Sequence, residues 1–415
     1  MSASLGPTAI RRLDEIGEAD VLVGIPCFDN AATVGVVIGA VEAGLREHLP
    51  ELSAVVCVSD GGSSDGTRDV AMETGRGSAA RGLPRPERAV FEYRGAPGKG
   101  SAVRAILEAA GRLRVRACAL VDADLRSITP TWVDRLLGPV VREDFGFVTP
   151  LYARHKHNGT ITNSFAYPVT TALYGVRIRQ PIGGEFGLSG DLARHLEVQE
   201  VWDTDVARFG IDIWLTTTAV VEGYRVCQAI LGAKVHDPKD PATDLGPMFR
   251  QVVGTLFALA GEHRDRWSQI HTVVRPPTYG ERAEADTERV VVSVPRLNEA
   301  FRTGAERHLE RWRRIVSAHA MAEIERAVNG APLEDEPWFT IVDDYLVAYD
   351  AGEVEAGLLL DSLLPLYFAR TASFVERTRD DTPEEAEARV EAGVDVAVAL
   401  KPSLVERWAF RDQPA

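Results

Sequence analysis

Val115-Arg116-Ala117-Cys118-Ala119-Leu120-Val121-Asp122-Ala123-Asp124 is the stretch whose reading decides the fold. A mostly apolar run of this length reads as a strand buried on both faces. It ends in two carboxylates one residue apart, where an open α/β sheet presents its strand ends to a ligand. Two such carboxylates repel unless a cation lies between them, and Mg²⁺ or Mn²⁺ shared with substrate phosphates suits the pair. A turn or a helix cap would use the same two residues, so the motif alone leaves both readings open.

Outward from it, the chain alternates strands and helices. Val21-Leu22-Val23-Gly24-Ile25-Pro26 predicts a buried strand, and Asp29-Asn30 caps a helix from about Ala31 to Leu45. Ala54 to Ser59 predicts a second strand, running into Asp60-Gly61-Gly62-Ser63-Ser64-Asp65-Gly66-Thr67 and a helix that starts near Thr67. A third strand is expected at 89–93; Gly95-Ala96-Pro97-Gly98-Lys99-Gly100-Ser101 follows it and opens a helix through Leu113. This β-α-β-α order describes a mainly parallel sheet flanked by helices, whose polar loops collect on one edge. Further on, strands are expected at 147–152 and 226–235, helices at 161–174 and 211–223, and a Gly-rich loop at 181–187. Residues 270–290 read as a linker, and four helices are expected at 297–329, 336–350, 353–378 and 383–408.

The 415 residues carry a net charge of −15, which argues against a nucleic-acid partner, since that would need a basic face. Cysteines 27, 57, 118 and 227 have no CxxC spacing, and at least three fall in apolar runs, so reduced, buried thiols are expected. The first residues, MSASLGPTAIRRLDEIGEAD, lack an apolar leader, and no uninterrupted apolar stretch approaches the roughly 18 residues of a membrane span. The expectation is a cytoplasmic protein with no membrane partner.

Several polar residues recur on the expected loop edge. The loop after Asp60 lets backbone approach a base or ribose, and Asp60 can accept from a base N–H; a plain turn explains the same residues. Lys99 lies on a Gly-rich turn that fails the phosphate-loop pattern, yet a Lys at a helix start can hold a phosphate. His236 follows an apolar strand and complements two carboxylates on a divalent ion, although a lone His is commonly structural. Glu185 and Asp212 are candidate general bases or partners for sugar hydroxyls; a solvated loop acid and a helix cap are the plain alternatives. Arg154, His155, Lys156 and His157 precede Asn158-Gly159-Thr160-Ile161-Thr162, basic residues and hydroxyls suited to a small carboxylate or phosphate, or simply a solvated loop.

Taken in order, these segments resemble the nucleotide-sugar glycosyltransferases of the GT-A fold. Pro181-Ile182-Gly183-Gly184-Glu185, Phe209-Gly210-Ile211-Asp212 and Gly232-Ala233-Lys234-Val235-His236 match, in register, the retaining mannosylglycerate synthases and the glucosyl- and mannosyl-3-phosphoglycerate synthases. The likeness spans roughly 18–260. It implies a nucleotide-sugar-binding half at 18–150 and an acceptor-binding half at 151–262; the α-helical region at 290–415 carries no chemical motif and is expected to serve as a lid or in homodimer contacts. It further implies that Asp124 and His236 bind Mg²⁺ or Mn²⁺, with Asp122 at the metal or the ribose. Pro26, Cys27, Phe28, Asp29 and Asp60 would surround the nucleoside, Lys99 the pyrophosphate and Gly184 the sugar, with Asp122 and Ala123 also binding the donor. Glu185 and Asp212 would act at the anomeric centre, and Arg154, Thr160, Ile161 and Thr162 would hold the acceptor. Two departures matter: Asp29-Asn30 replaces the Asn-Glu pair of the phosphoglycerate enzymes, and their Gly-Gly-Gly-Arg-Val-Thr motif is absent.

The resemblance implies retaining transfer of a hexose from GDP-mannose, GDP-glucose or UDP-glucose to D-glycerate, with 3-phosphoglycerate as the alternative acceptor. A sugar nucleotidyltransferase would use a similar sheet, but its Gly-rich, basic signature after the first strand is missing. A non-catalytic nucleotide-sugar sensor is the remaining class.

Overall fold

The computed structural model describes residues 4–75, 86–235, 245–281 and 287–411. In chain order the first elements are α1 (Pro7–Ile16), β1 (Val21–Cys27), α2 (Val34–His48), β2 (Ala54–Asp60), α3 (Thr67–Glu73), β3 (Glu87–Glu92), α4 (Lys99–Arg112), β4 (Ala117–Leu120), α5 (Thr131–Glu143) and β5 (Phe147–Ala153). There follow a π-helical turn (Thr162–Ala166), α6 (Tyr167–Tyr174), β6 (Phe186–Ser189), α7 (Gly190–Glu197), α8 (Ile211–Val221), β7 (Val226–Ala233), α9 (Gly246–Glu262), α10 (Arg264–Trp267) and β8 (Thr278–Tyr279). Five helices end the chain: α11 (Val294–Ile315), α12 (Ala318–Val328), α13 (Asp335–Ala351), α14 (Ala356–Arg377) and α15 (Pro383–Arg411).

The chain forms two compact units, the first from Met1–Ala153, Ile182–Asp237 and Pro276–Thr287, the second from Arg154–Pro181, Pro238–Arg275 and Glu288–Ala415. This departs from the expected division. The 154–181 segment belongs with the C-terminal helices, not with the second half of the sheet, because its side chains find their partners there.

In the first unit an eight-stranded sheet runs in the order β3-β2-β1-β4-β6-β5-β7-β8. All described pairings are parallel except those of β6, which is antiparallel to both β4 and β5. The expected mainly parallel, helix-flanked sheet is therefore present. β1 and β4 are buried along their whole length, as helices on both faces require. Val23, Ile25, Val37, Val41, Trp132 and Leu136 join one hydrophobic core under α2 and α5.

Two sequence expectations miss here. The Gly-rich stretch at 181–187 was expected to be a loop throughout, but Phe186 already begins β6, which pairs Phe186 with Leu120. The 270–290 linker contributes β8, which pairs with β7 through Gln228 and Thr278. Neither strand has enough residues to show a periodicity.

The second unit is helical, as expected for 290–415, though α11 and α12 replace one long helix. The break is at Ser317, whose hydroxyl accepts from the Ala320 amide and caps α12. α14 is long and apolar enough to cross a membrane by length and composition, yet most of it is buried inside the unit, which accounts for its composition. α15 pairs an acidic row with arginines: Glu387 binds Arg179 at 2.6 Å, Glu391 binds Arg177 at 2.7 Å and Arg275 at 2.8 Å.

β6 is short and wholly dependent on its neighbours, so a cavity there is costly. Leu188, fully buried against β4 and β5, should lose about 2–5 kcal/mol as Leu188→Ala. The measurement is a lowered urea midpoint; an unchanged midpoint would place Leu188 outside the core.

Candidate active site at the carboxyl edge of the sheet

The antiparallel β6 decides what meets at this edge. Parallel strands deliver their C-terminal ends here, and β6 delivers its start. The Leu120–Phe186 pairing therefore sets Glu185 beside the exit of β4 that carries Asp122. Lys99 opens α4, Asp212 lies in the first turn of α8, and Lys234 follows directly after β7.

These five side chains interlock. The Asp122 Oδ1 is 2.9 Å from Lys99 Nζ and its Oδ2 is 3.1 Å from Lys234 Nζ. Lys99 also reaches Asp212 at 3.1 Å. Lys234 donates to both Glu185 oxygens, at 2.9 and 2.8 Å, and to the Gly183 carbonyl at 2.8 Å. Three carboxylates thus share two ammonium groups. Burial works against each charge, but the two lysines flanking Asp122 outweigh it and hold that carboxyl well below the usual range. Burial also opposes the Lys99 charge, and Asp122 and Asp212 more than restore it, so its ammonium is held above the ordinary value. Glu185, with no exposed surface, is different: burial pushes it well above the ordinary value and Lys234 only partly offsets this. Asp212 is raised by burial in the same way, against the pull of Lys99.

Gly184 threads through this cluster at φ +94°, and a Cβ there would lie 2.3 Å from Asp122 Oδ2 and 3.0 Å from Lys234 Nζ. Only glycine combines that backbone with that clearance. The Tyr152 ring lies 5.3 Å from Lys234 Nζ and its hydroxyl donates to the Gly183 carbonyl at 3.4 Å. Sequence reasoning missed Lys234 and Tyr152 as site residues. A lysine closing an otherwise apolar strand was the available signal for the first; Tyr152 carried none.

Of the metal candidates, Asp122 has both oxygens engaged by lysines, so in this arrangement it is a charge partner and not an open ligand. Asp124, two residues on and partly exposed, has no hydrogen bond or ion pair among the described residues. Its free carboxylate fits a hard divalent cation. His236 lies outside the described residues. Among those described, no group of three His, Cys, Asp or Glu side chains could hold a metal. Ala123 is buried between the two aspartates.

The nucleoside candidates form a second, stapled cluster. Pro26 and Cys27 pair with Ser59 and Asp60 across β1 and β2. The Asp60 carboxylate is fully buried and accepts from the Gly62 and Ser63 amides, at 3.0 and 2.9 Å, and from the Ser63 hydroxyl, with Arg68 Nε at 3.4 Å. It therefore shapes its own loop, the plain-turn reading that the sequence leaves open beside a contact to the base. Asp29, at φ 51°, accepts from the Ser64 amide at 2.9 Å and donates its own amide to Ser63 Oγ at 2.8 Å. Asp65 accepts from the Ala31 amide at 2.9 Å. Phe28 is 62% exposed, and its ring lies over Gly61, where a Cβ would sit 3.1 Å away.

The acceptor candidates lie in the second unit. A Cβ on Gly159, at φ +70°, would fall 2.9 Å from Arg154 Nη1 and 3.8 Å from Thr162 Oγ1, so Arg154 and Thr162 converge over that glycine. The Thr160 hydroxyl is instead taken by Tyr367, and Ile161 is buried. Lys156 donates to the Thr378, Arg379 and Asp381 carbonyls at 2.5, 2.8 and 2.6 Å, capping α14. Burial and the neighbouring His155 and Lys156 lower His157 to about 4, which leaves it neutral at pH 7. The basic group is thus largely structural.

Glu185 gives a pH test. A carboxyl raised in the folded state contributes stability that is complete below its ordinary value of 4.5 and is lost as pH climbs through the folded value. Glu185→Gln cannot ionise. Its urea midpoint should fall less between about pH 5 and about pH 8 than that of the parent protein; equal falls would mean that Glu185 ionises as freely as in the unfolded chain.

No protein-family model matches the chain. It is 27% identical over 264 residues to the glucosyl-3-phosphoglycerate synthase of Mycolicibacterium paratuberculosis, covering 58% of this chain and 72% of that protein. It is 28% identical over 258 residues to the synthase of Mycolicibacterium smegmatis, covering 58% and 78%. Among solved structures, the Mycobacterium tuberculosis synthase with Mn²⁺, uridine diphosphate and phosphoglyceric acid matches with a TM-score of 0.45 at 23% identity, covering 62% of this chain and 84% of that one. In sequence this chain resembles the glucosyl-3-phosphoglycerate synthases, and its mainly parallel sheet carries a lysine-paired carboxylate edge.

Proposed function

We propose that this protein is a retaining hexosyltransferase that moves a hexose, glucose by likeness to its relatives, from a nucleoside diphosphate sugar to a hydroxyl of D-glycerate. The observation that carries the reading is the Lys99–Asp122–Lys234–Glu185 edge beside the open Asp124 carboxylate. Fixed ammonium groups at that edge suit a diphosphate, and buried carboxylates suit sugar hydroxyls. Asp124, with His236, would hold Mg²⁺ or Mn²⁺, which would offset charge on the leaving diphosphate. The exposed Phe28 ring offers a stacking face for the base. Both Asp212 and Glu185 are engaged by lysine, which favours orienting the sugar and steadying positive charge over covalent attack. The acceptor oxygen would then attack on the face the diphosphate leaves: the new C–O bond forms as the anomeric C–O bond breaks, and the hydroxyl proton passes to a diphosphate oxygen.

Charge supports unphosphorylated glycerate. In the 154–157 group Lys156 is bound by three carbonyls and His157 is held neutral, so the group adds little positive charge beyond the Arg154 guanidinium. A guanidinium fork matches a carboxylate, and the added phosphate of 3-phosphoglycerate would bring charge that this group does little to offset. The names of the relatives favour 3-phosphoglycerate, which is the second reading. Four buried, unpaired cysteines agree with a cytoplasmic location.

The deciding experiment is a panel of UDP-glucose, GDP-glucose and GDP-mannose against glycerate and 3-phosphoglycerate, read by nucleoside diphosphate release. Release with glycerate supports the proposal, release only with 3-phosphoglycerate supports the alternative, and no release with any pair overturns both. Asp124→Ala should cost about 100-fold or more in kcat with the protein still folded. Arg154→Ala should raise the acceptor KM roughly 10- to 100-fold while sparing the donor KM; equal changes in both would remove Arg154 from the acceptor site.

A further inference from the structure

The segment from Lys156 to Ala166 is irregular, and its irregularities are answered by side chains and carbonyls of the C-terminal helices. Gly159 takes a left-handed turn, and Thr162–Ala166 is a π-helical turn in which the Tyr167 amide reaches back to the Thr162 carbonyl. Pro168 has no N–H to give the Ser164 carbonyl, the partner it would serve in an α-helix. The indole N–H of Trp338, fully buried on α13, donates to that carbonyl instead, at 2.7 Å. Four residues earlier, the buried Thr160 hydroxyl shares a 2.5 Å hydrogen bond with the hydroxyl of Tyr367 on α14. Tyr367 is itself immobilised: it has no exposed surface, and its ring stacks on Phe249 at 4.5 Å. Lys156 and His157 tie the near end to the last residues of α14 and the turn beyond, His157 Nε2 lying 3.0 Å from Thr378 Oγ1.

π-turns cost stability and are concentrated at functional sites. This one is held from residues 338–381, a region with no chemical motif of its own, and it begins at Thr162, which converges with Arg154 over Gly159. A single hydroxyl pair, Thr160–Tyr367, pins the residue between that glycine and the turn.

We propose that Tyr367 is a positioning residue for the acceptor: through Thr160 it fixes the Gly159–Thr162 turn, so that the C-terminal helices set acceptor affinity without touching the acceptor. This rests on the reading of Arg154 and Thr162 as acceptor contacts. Tyr367 cannot act by charge, because burial pushes its hydroxyl up to about 12 and keeps it neutral. Its effect is through geometry.

The test is steady-state kinetics of Tyr367→Phe, Thr160→Val and the double variant with D-glycerate and the donor identified by the panel. Each single variant should raise the glycerate KM roughly 5- to 15-fold, leave the donor KM within about twofold, and the double variant should be no worse than either single one, since all three remove the same contact. Tyr345→Phe is the control. It deletes another buried hydroxyl of the same unit, paired with Ser362 Oγ at 2.8 Å, and should lower Tm comparably while leaving both KM values unchanged. Tyr367→Phe shifting both KM values together, doing no more than Tyr345→Phe, or adding fully to Thr160→Val would overturn the inference. If Arg154→Ala raises the glycerate KM and Tyr367→Phe does not, the acceptor reading stands and positioning by α14 is wrong. If Arg154→Ala leaves that KM unchanged, the acceptor reading falls and takes this inference with it.

Discussion

A carboxylate at the end of a buried strand has to be compensated, and at Asp122 the compensation comes from both sides at once. Lys99 arrives on the first residue of a helix and Lys234 on the last step off a strand, and each holds one oxygen. Much of the first unit follows from keeping those two ammonium groups in place. Glu185 lies at the start of the antiparallel β6 to neutralise Lys234, and Asp212 meets Lys99 from the start of α8. Gly184 is glycine because any side chain there would strike the Asp122–Lys234 contact. Burial raises Glu185 and Asp212, so Asp122 is the carboxylate that the two lysines hold most firmly ionised, while Asp124 two residues on has no partner among the described residues.

The nucleoside side is preorganised by a different means. Here the carboxylates of Asp29, Asp60 and Asp65 are spent on backbone amides and hydroxyls, Asp60 within its own loop and Asp29 and Asp65 across to the neighbouring one. If these loops hold the proposed nucleoside, they would meet it with backbone and the Phe28 ring and would lose little entropy on binding. The two clusters thus divide the work between rigid shape at one set of strand ends and concentrated charge at another.

Much of this was legible in the sequence. Apolar strands ending in polar residues, joined by short glycine-rich turns, dictate a parallel sheet whatever the details, because only helices on both faces can cover such strands. Lys99, Asp122, Glu185 and Asp212 were readable as residue types that are costly to bury without a purpose. At Asp60 the sequence leaves two readings open: a carboxylate after a strand looks the same whether it awaits a ligand or holds its own loop, and only the positions of the amides show that it holds the loop. The structural partners of Lys156 and Thr160 were likewise not legible, since they lie more than two hundred residues away in sequence.

What the sequence by itself determined is the alternation of elements and the chemistry available at their ends, since both are local: hydrophobic period, turn residues and the cost of burying charge. What only the tertiary structure decided is pairing. That β6 runs backwards and brings Glu185 to Asp122, that Lys234 closes the network, and that 154–181 belongs with the C-terminal helices all depend on contacts between residues far apart in the chain. Four-residue strands and single side chains carry no period from which such contacts can be read. The physical reason is that charge compensation and hydrogen-bond satisfaction are properties of neighbours in space, and the open carboxylate of Asp124 acquires its meaning only once every oxygen around it has been accounted for.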